Sequence, residues 1–302
     1  MSCLLGYPAL KKIFQLRMLS TISLLAQSMA VADLPRGSQL IPEIVPLQRC
    51  SHDTDILYSC AIALKLAPVW QLEAFEIANQ LVTALGENLY DSALGIHLNF
   101  SVEVVSSGWI YFRLQEQSLA TWLQQSIVQG DRRGGEGEIG GATADNDNFF
   151  PMQYAHARCC SLLRLAHRQG LIELSDANCT TLFPLPWLKD AQGMEGKVLR
   201  LRLVHPAERR LIAQIVDVQD ALSNHSQLQL VKLARDLSQA FEEFYAQLPH
   251  LGGSEVPNTA ASSGEVRFSC SYSNIIAIAS TRTLRYLRTH ATLKMGNFTS
   301  IK

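Results

Sequence analysis

Apolar positions recur along most of this chain at the three-to-four residue spacing of amphipathic helices, interrupted by one clear alternating segment. Leu16, Leu19, Ser20, Ser23, Ala26 and Gln27 predict a surface helix near the start. A loop rich in proline (Pro35, Pro42, Pro46) precedes an expected helix over Thr54 to Leu66, with Leu57, Cys60, Ala61 and Leu64 on one side and Pro68 ending it. A further helix is predicted over Leu72 to Leu85, burying Leu72, Phe75, Ala78, Leu81, Val82 and Leu85. The period then changes to two. Leu98 to Val104 and Trp109 to Leu114 read as strands joined by Ser106-Ser107-Gly108, a hairpin, and Ser118 to Val128 returns to helix.

Helical spacing dominates after residue 149. Phe149 to Gly170 opens with Pro151, tolerated in a first helical turn, and closes on Gly170, favoured just past a helix end. Ala155, Cys159, Leu162, Leu163 and Ala166 form its apolar stripe, opposite Ala157, Ser161, Arg164 and Arg168. Leu182 to Trp187 reads as a proline-broken loop and Met194 to Val204 as helix. Helices follow over His205 to Leu222 and Ser226 to Leu248, the latter with Leu230, Leu233, Ala234, Leu237, Phe241, Phe244 and Tyr245 as an aromatic-rich core stripe. A last helix is expected over Tyr272 to Leu293. The whole reads as an α+β chain: a small α+β domain with helices and a β-hairpin over 1–129, then an all-α helical bundle over 149–302.

Between them, residues 130–148 are rich in glycine and acidic side chains and lack apolar periodicity, so they read as a flexible linker. A phosphate-binding loop is excluded there because no βαβ unit follows and the flanking carboxylates would repel phosphate. Residues 252–264 read as a second loose linker.

Charge separates the two halves. Residues 149–302 hold 17 Lys and Arg against 12 Asp and Glu, whereas the first 148 hold 9 against 15, although the net charge is only -1. A polyanion is drawn to the second half and repelled by the first, with modest, salt-dependent affinity. Seven cysteines without paired spacing point to reduced thiols in a cytoplasmic protein rather than to a disulfide framework. Lys11-Lys12 ahead of an apolar run that ends in Ala30-Val31-Ala32 gives the outline of a secretory signal, but Gln15, Arg17 and Gln27 interrupt it, so a surface helix is the reading preferred. No stretch is apolar for long enough to span a bilayer.

The run Gln153-Tyr154-Ala155-His156-Ala157-Arg158, followed by Ser161, Leu162, Leu163 and Arg164, resembles the signature helix of the DALR anticodon-binding domain, the C-terminal part of arginyl-tRNA synthetases. A weaker likeness joins Ala61 to Ala67, Glu76 to Ala78 and Gly108 to Leu114 to the N-terminal additional domain of the same family, in the family's order. The Leu237 to Tyr245 run is also like the family, where an aromatic-rich helix end packs under the signature helix. The resemblance implies a surface for the anticodon loop of tRNA, an arginine tRNA in the first instance. It rests on Tyr154, His156, Arg158, Arg164 and Arg168 of the signature helix, with Arg282, Arg285, Tyr286 and Arg288 of the last helix. Aromatic rings and guanidinium planes stack on unpaired bases, and cations hold the backbone.

The family activates arginine in a parallel-sheet domain between these ends, carrying an H-I-G-H motif. No such motif occurs in this sequence, and Lys294-Met295-Gly296 lies after the anticodon domain rather than before it. A nineteen-residue polar loop cannot build a parallel sheet with its crossovers. No catalytic constellation and no cofactor are expected. His156 with Cys159 or Cys160 lacks zinc spacing, and Glu242-Glu243 reads as a solvated pair. The expectation is a non-catalytic tRNA-binding protein; the alternatives are a scaffold module holding a protein partner with a decayed RNA surface, or a subunit completed in trans by a catalytic chain.

Overall fold

A computed structural model describes residues 9–29, 42–50, 55–86, 88–91, 96–129, 150–168, 173–174, 182–183, 188–193, 196–201, 203, 205–221 and 227–247. Two compact units result, one within residues 8–122 and the other built from the described residues beyond 122. The expected linkers at 130–148 and 252–264 and the expected last helix lie outside the described residues.

The first unit starts with α1 (Leu10–Met29). It is the helix expected near the start, and it buries Leu10, Ile13, Phe14, Met18, Ile22 and Ala26 and leaves Leu16 exposed. A short 3-10 turn, Pro42–Ile44, leads into β1 (Leu47–Arg49) and β2 (Leu57–Cys60). Here the helix expected from Thr54 is corrected. Tyr58 and Cys60 are buried while Leu57 and Ser59 are only half-buried, the alternation of a strand, and sheet pairing overrides the accidental helical spacing of Leu57, Cys60 and Leu64. Helix begins only at α2 (Ile62–Trp70), which contains Pro68 and stops two residues later in a left-handed Gln71. Proline has no N–H to give the carbonyl one turn back and its ring crowds that carbonyl, so the helix does not continue far past it.

Next come α3 (Ala74–Leu85), β3 (Asn88–Asp91), β4 (Ile96–Val104), β5 (Ile110–Leu114) and α4 (Glu116–Gln129). In α3, Ile77, Ala78, Leu81 and Leu85 are buried but Phe75, expected inside, is exposed. The strands form an antiparallel sheet in the order β1-β2-β5-β4-β3. Tyr58 lies opposite Phe112 and Phe100 opposite Leu114, so aromatic rings line up across three neighbouring strands. Phe14 of α1 sits on this row, its ring centroid 5.2 Å from Phe100, 5.6 Å from Phe112 and 5.7 Å from Tyr58. These tilted and edge-on contacts suit the ring quadrupoles and centre the core. Ser118 accepts the backbone N–H of Asn99 at 2.6 Å, tying the start of α4 to β4.

The hairpin between β4 and β5 turns at Gly108, with φ +85° and its N–H given to the Val105 carbonyl at 2.8 Å. A Cβ there would lie 2.6 Å from the Ala74 Cβ, too close for any relaxed contact. Gly108→Ala combines this clash with a left-handed backbone, so a loss of more than about 1 kcal/mol is expected in a urea titration. The Cys60 thiol is fully buried, and burial pushes its pKa from 9.0 up to about 12. A thiol raised in the fold favours folding while neutral. That contribution is present below pH 9 and is lost as the pH climbs toward 12; Cys60→Ser is expected to flatten this decline in chemical-denaturation curves.

The second unit contains α5 (Phe150–Arg168), β6 (Glu173–Leu174), β7 (Leu182–Phe183), β8 (Leu188–Gly193), β9 (Gly196–Leu201), α6 (Pro206–Ala221) and α7 (Gln227–Ala246). The expected helix over Met194 to Val204 is corrected to one arm of a hairpin, β8 pairing with β9 and Gly193 opposite Gly196. β6 and β7 form a second ribbon, so this unit is helical with two small antiparallel insertions, and the chain remains α+β. At the start of α6, Glu208 accepts the His205 N–H at 2.8 Å while the His205 ring accepts the Ala207 N–H at 3.2 Å, a reciprocal cap ahead of Pro206. α7 packs against both α5 and α6.

Candidate nucleic-acid interface

α5 divides by the arithmetic of about 100° per residue. Met152, Ala155, Cys159 and Leu163 are buried. Cys159 is pushed well above the ordinary thiol range, first by burial, then by Cys160 and Glu242. Glu242 is half-buried on the side toward that thiol, and Glu243 pairs with Arg210 of α6 at 2.6 Å, an ion pair that holds its carboxyl below the usual range. The pair Glu242-Glu243 is therefore not the solvated face expected of it.

The other face of α5 lines a shallow groove of about 470 Å³, formed by Tyr154, Ala157, Arg158, Ser161, Leu162, Leu165, Arg168 and, from α7, Tyr245. Ala157 and Ser161 keep the floor low, because small side chains leave room over the helix backbone. Arg158 crosses the groove. Its guanidinium lies 3.9 Å from the centroid of the Tyr245 ring and 5.5 Å from that of Tyr154, whose hydroxyl it contacts. Both tyrosines, Tyr245 first, hold the Arg158 pKa above the ordinary value for arginine. A cation over two aromatic rings is planar, charged and fixed before any ligand arrives.

Of the residues expected to form the surface, Tyr154, Arg158 and Arg168 line this groove. Arg164 is exposed on α5 but outside it. His156 is not brought there: two residues from Tyr154 it points about 200° away, half-buried, with the Cys160 sulfur 3.9 Å from its Nε2. Arg282, Arg285, Tyr286 and Arg288 lie outside the described residues. Tyr245, assigned above to the core with Phe241 and Phe244, is instead half-buried and open to the groove. Phe150 was also overlooked. It is 65% exposed, and its ring stacks on Tyr154 with centroids 6.1 Å apart and planes 22° apart. The signal for Phe150 was its place four residues before Tyr154; for Tyr245 it was a hydroxyl at the margin of an otherwise apolar stripe.

The fold and groove define a helical domain that offers aromatic rings and fixed cations along one helix. Residues 152–259 match the model of the DALR anticodon binding domain. Over 108 residues the chain is 35% identical to an arginine–tRNA ligase of Moorella thermoacetica, covering 34% of this chain and 16% of that protein. It is 32% identical over 107 residues to the enzyme of Heliobacterium modesticaldum, covering 34% and 16%. It is 31% identical over 112 residues to that of Pelodictyon phaeoclathratiforme, covering 35% and 17%. The match thus spans about 16% of the length of the first two of these relatives. No solved structure matches the chain. Residues 152–259 are thus similar to the DALR anticodon binding domain, and in that region the chain resembles arginine–tRNA ligases. Among the described residues no helix is long and apolar enough to cross a membrane, and no cluster of three His, Cys, Asp or Glu side chains is arranged to hold a metal ion.

Proposed function

We propose that this chain binds tRNA at its anticodon region through the groove between α5 and α7, that its preferred tRNA is one that accepts arginine, and that it does so as a binding protein without catalysing aminoacylation. The observation that carries the reading is Arg158, set on the Tyr245 ring and against Tyr154 in a groove that also holds Arg168. Unpaired bases of a loop stack on such planar groups, and the arginines neutralise its phosphates. The similarity to arginine–tRNA ligases, confined to the anticodon-binding region, supports both the ligand and its arginine identity. The binding rather than catalytic role is supported by the lack of an H-I-G-H motif in this sequence.

The test is retention of tRNA from a total pool by the immobilised chain, followed by sequencing of what is held. Enrichment of arginine isoacceptors over the input supports the full reading. A retained pool with the composition of the input reduces it to general tRNA binding, and retention of nothing removes it.

A further inference from the structure

The groove ends in a feature that single-groove binding leaves unused. Phe150, Tyr154 and Arg158 succeed one another at intervals of four residues, so they rise along one side of α5 with only a slow rotation. Phe150 stacks on Tyr154, Tyr154 lies against Arg158, and Arg158 covers Tyr245, which makes four planar groups in a continuous row. Three of the four line the groove; Phe150 stands beyond it as the outer member. A lone exposed phenylalanine is ordinary on a protein surface. This one differs in being the open end of a stack, with one side on Tyr154 and most of its surface in water. Nothing in the α5 buried stripe of Met152, Ala155, Cys159 and Leu163 requires it for packing.

We propose that Phe150 is a second base-stacking position, so that the surface holds two consecutive unpaired RNA bases, one in the groove at Tyr154 and Arg158 and the next on the outer part of the row at Phe150. The inference rests on the RNA-binding reading above and adds to it the length of strand engaged. The nearest cation to the row is its own member Arg158, one turn beyond Tyr154 on the same side of α5, and Arg168 lies further along the groove, so the charge of the neighbourhood suits a nucleic-acid strand. Stacking on an aromatic ring is tolerant of base identity, so this position contributes affinity and strand direction more than base choice.

The test is a coupling experiment with the full chain and RNA hairpins bearing a seven-nucleotide loop. One hairpin is intact, and each of the others carries a single abasic nucleotide at a different loop position. For the wild-type chain, abasic substitution is expected to weaken binding at two neighbouring positions. Phe150→Ala is expected to weaken the intact hairpin about 5- to 100-fold and to remove the abasic penalty at one of the two positions, whereas Tyr154→Ala removes it at the other. Phe150→Trp, which restores a ring, should restore both affinity and penalty. Phe150→Ala binding like wild type, or losing the same factor against every abasic hairpin, overturns the second position while leaving the groove intact. If the wild-type chain binds no hairpin, the second position and the groove reading are both overturned; in the first case, by contrast, the wild-type chain binds and Tyr154→Ala still weakens it.

Discussion

Arg158→Glu is expected to weaken tRNA binding by about 100- to 10,000-fold while leaving the helical unit folded. Two losses add up. Stacking of a base on a planar group is worth about 1–3 kcal/mol, and a hydrogen bond to a charged group about 1.5–3 kcal/mol. Reversal of charge beside Arg168 then repels the phosphate that the arginine attracted. The folded state loses much less. Arg158 is only half-buried, and its contacts with Tyr245 and Tyr154 are cation–π contacts worth about 0.5–1 kcal/mol each at exposed sites. Circular dichroism melts should therefore show a modest shift beside a large change in filter-binding affinity. Arg158→Lys is the informative companion: it keeps the charge but not the plane, so it should fall between the two. Lysine binding as well as arginine does would indicate that charge alone, not stacking, carries the contact.

Phe14→Ala is the largest expected effect on stability. Its ring is the hub between Tyr58, Phe100 and Phe112, and removing a buried phenylalanine costs about 3–5 kcal/mol from the lost transfer energy and the cavity left behind. Little collapse is available, because the three partner rings are anchored on β2, β5 and β4, which are paired in fixed register. With total stabilities of about 5–15 kcal/mol typical, this unit would be left marginal or unfolded. The midpoint of urea unfolding should fall by about 1–3 M, and amides of β2, β4 and β5 should exchange faster. Phe14→Leu keeps most of the volume and should recover most of the loss. A change below about 1 kcal/mol for Phe14→Ala would mean that α1 is not packed on the sheet as described.

What the sequence made legible follows from how local each feature is. The bounds of α5 were readable because Pro151 and Gly170 mark them, and the β4–β5 hairpin because alternation and Gly108 coincide. The strand at Leu57–Cys60 was not readable, because four residues fit both Tyr58/Cys60 alternation and Leu57/Cys60 helical spacing, and only tertiary pairing, with β1 on one side and the distant β5 on the other, decides between them. The β8–β9 hairpin is by contrast local, and Gly193 and Gly196 were the punctuation missed there. Within the site, Tyr154, Arg158 and Arg168 share a face that helical geometry alone places together. His156 could have been set apart by the same geometry, since two residues turn a helix by about 200°. Tyr245 was legible only through its hydroxyl at the margin of an apolar stripe, because whether the last ring of such a stripe is core or groove depends on how α5 crosses α7.

Contact between the α5–α7 groove and RNA can be tested directly. The measurement is a filter-binding titration of the full chain against total tRNA at 50 mM and 200 mM salt. Counterion release predicts saturable binding at the lower salt that weakens steeply at the higher, by roughly tenfold or more for a surface touching a few phosphates. Absence of binding even at 50 mM, or binding indifferent to salt, would contradict the central claim.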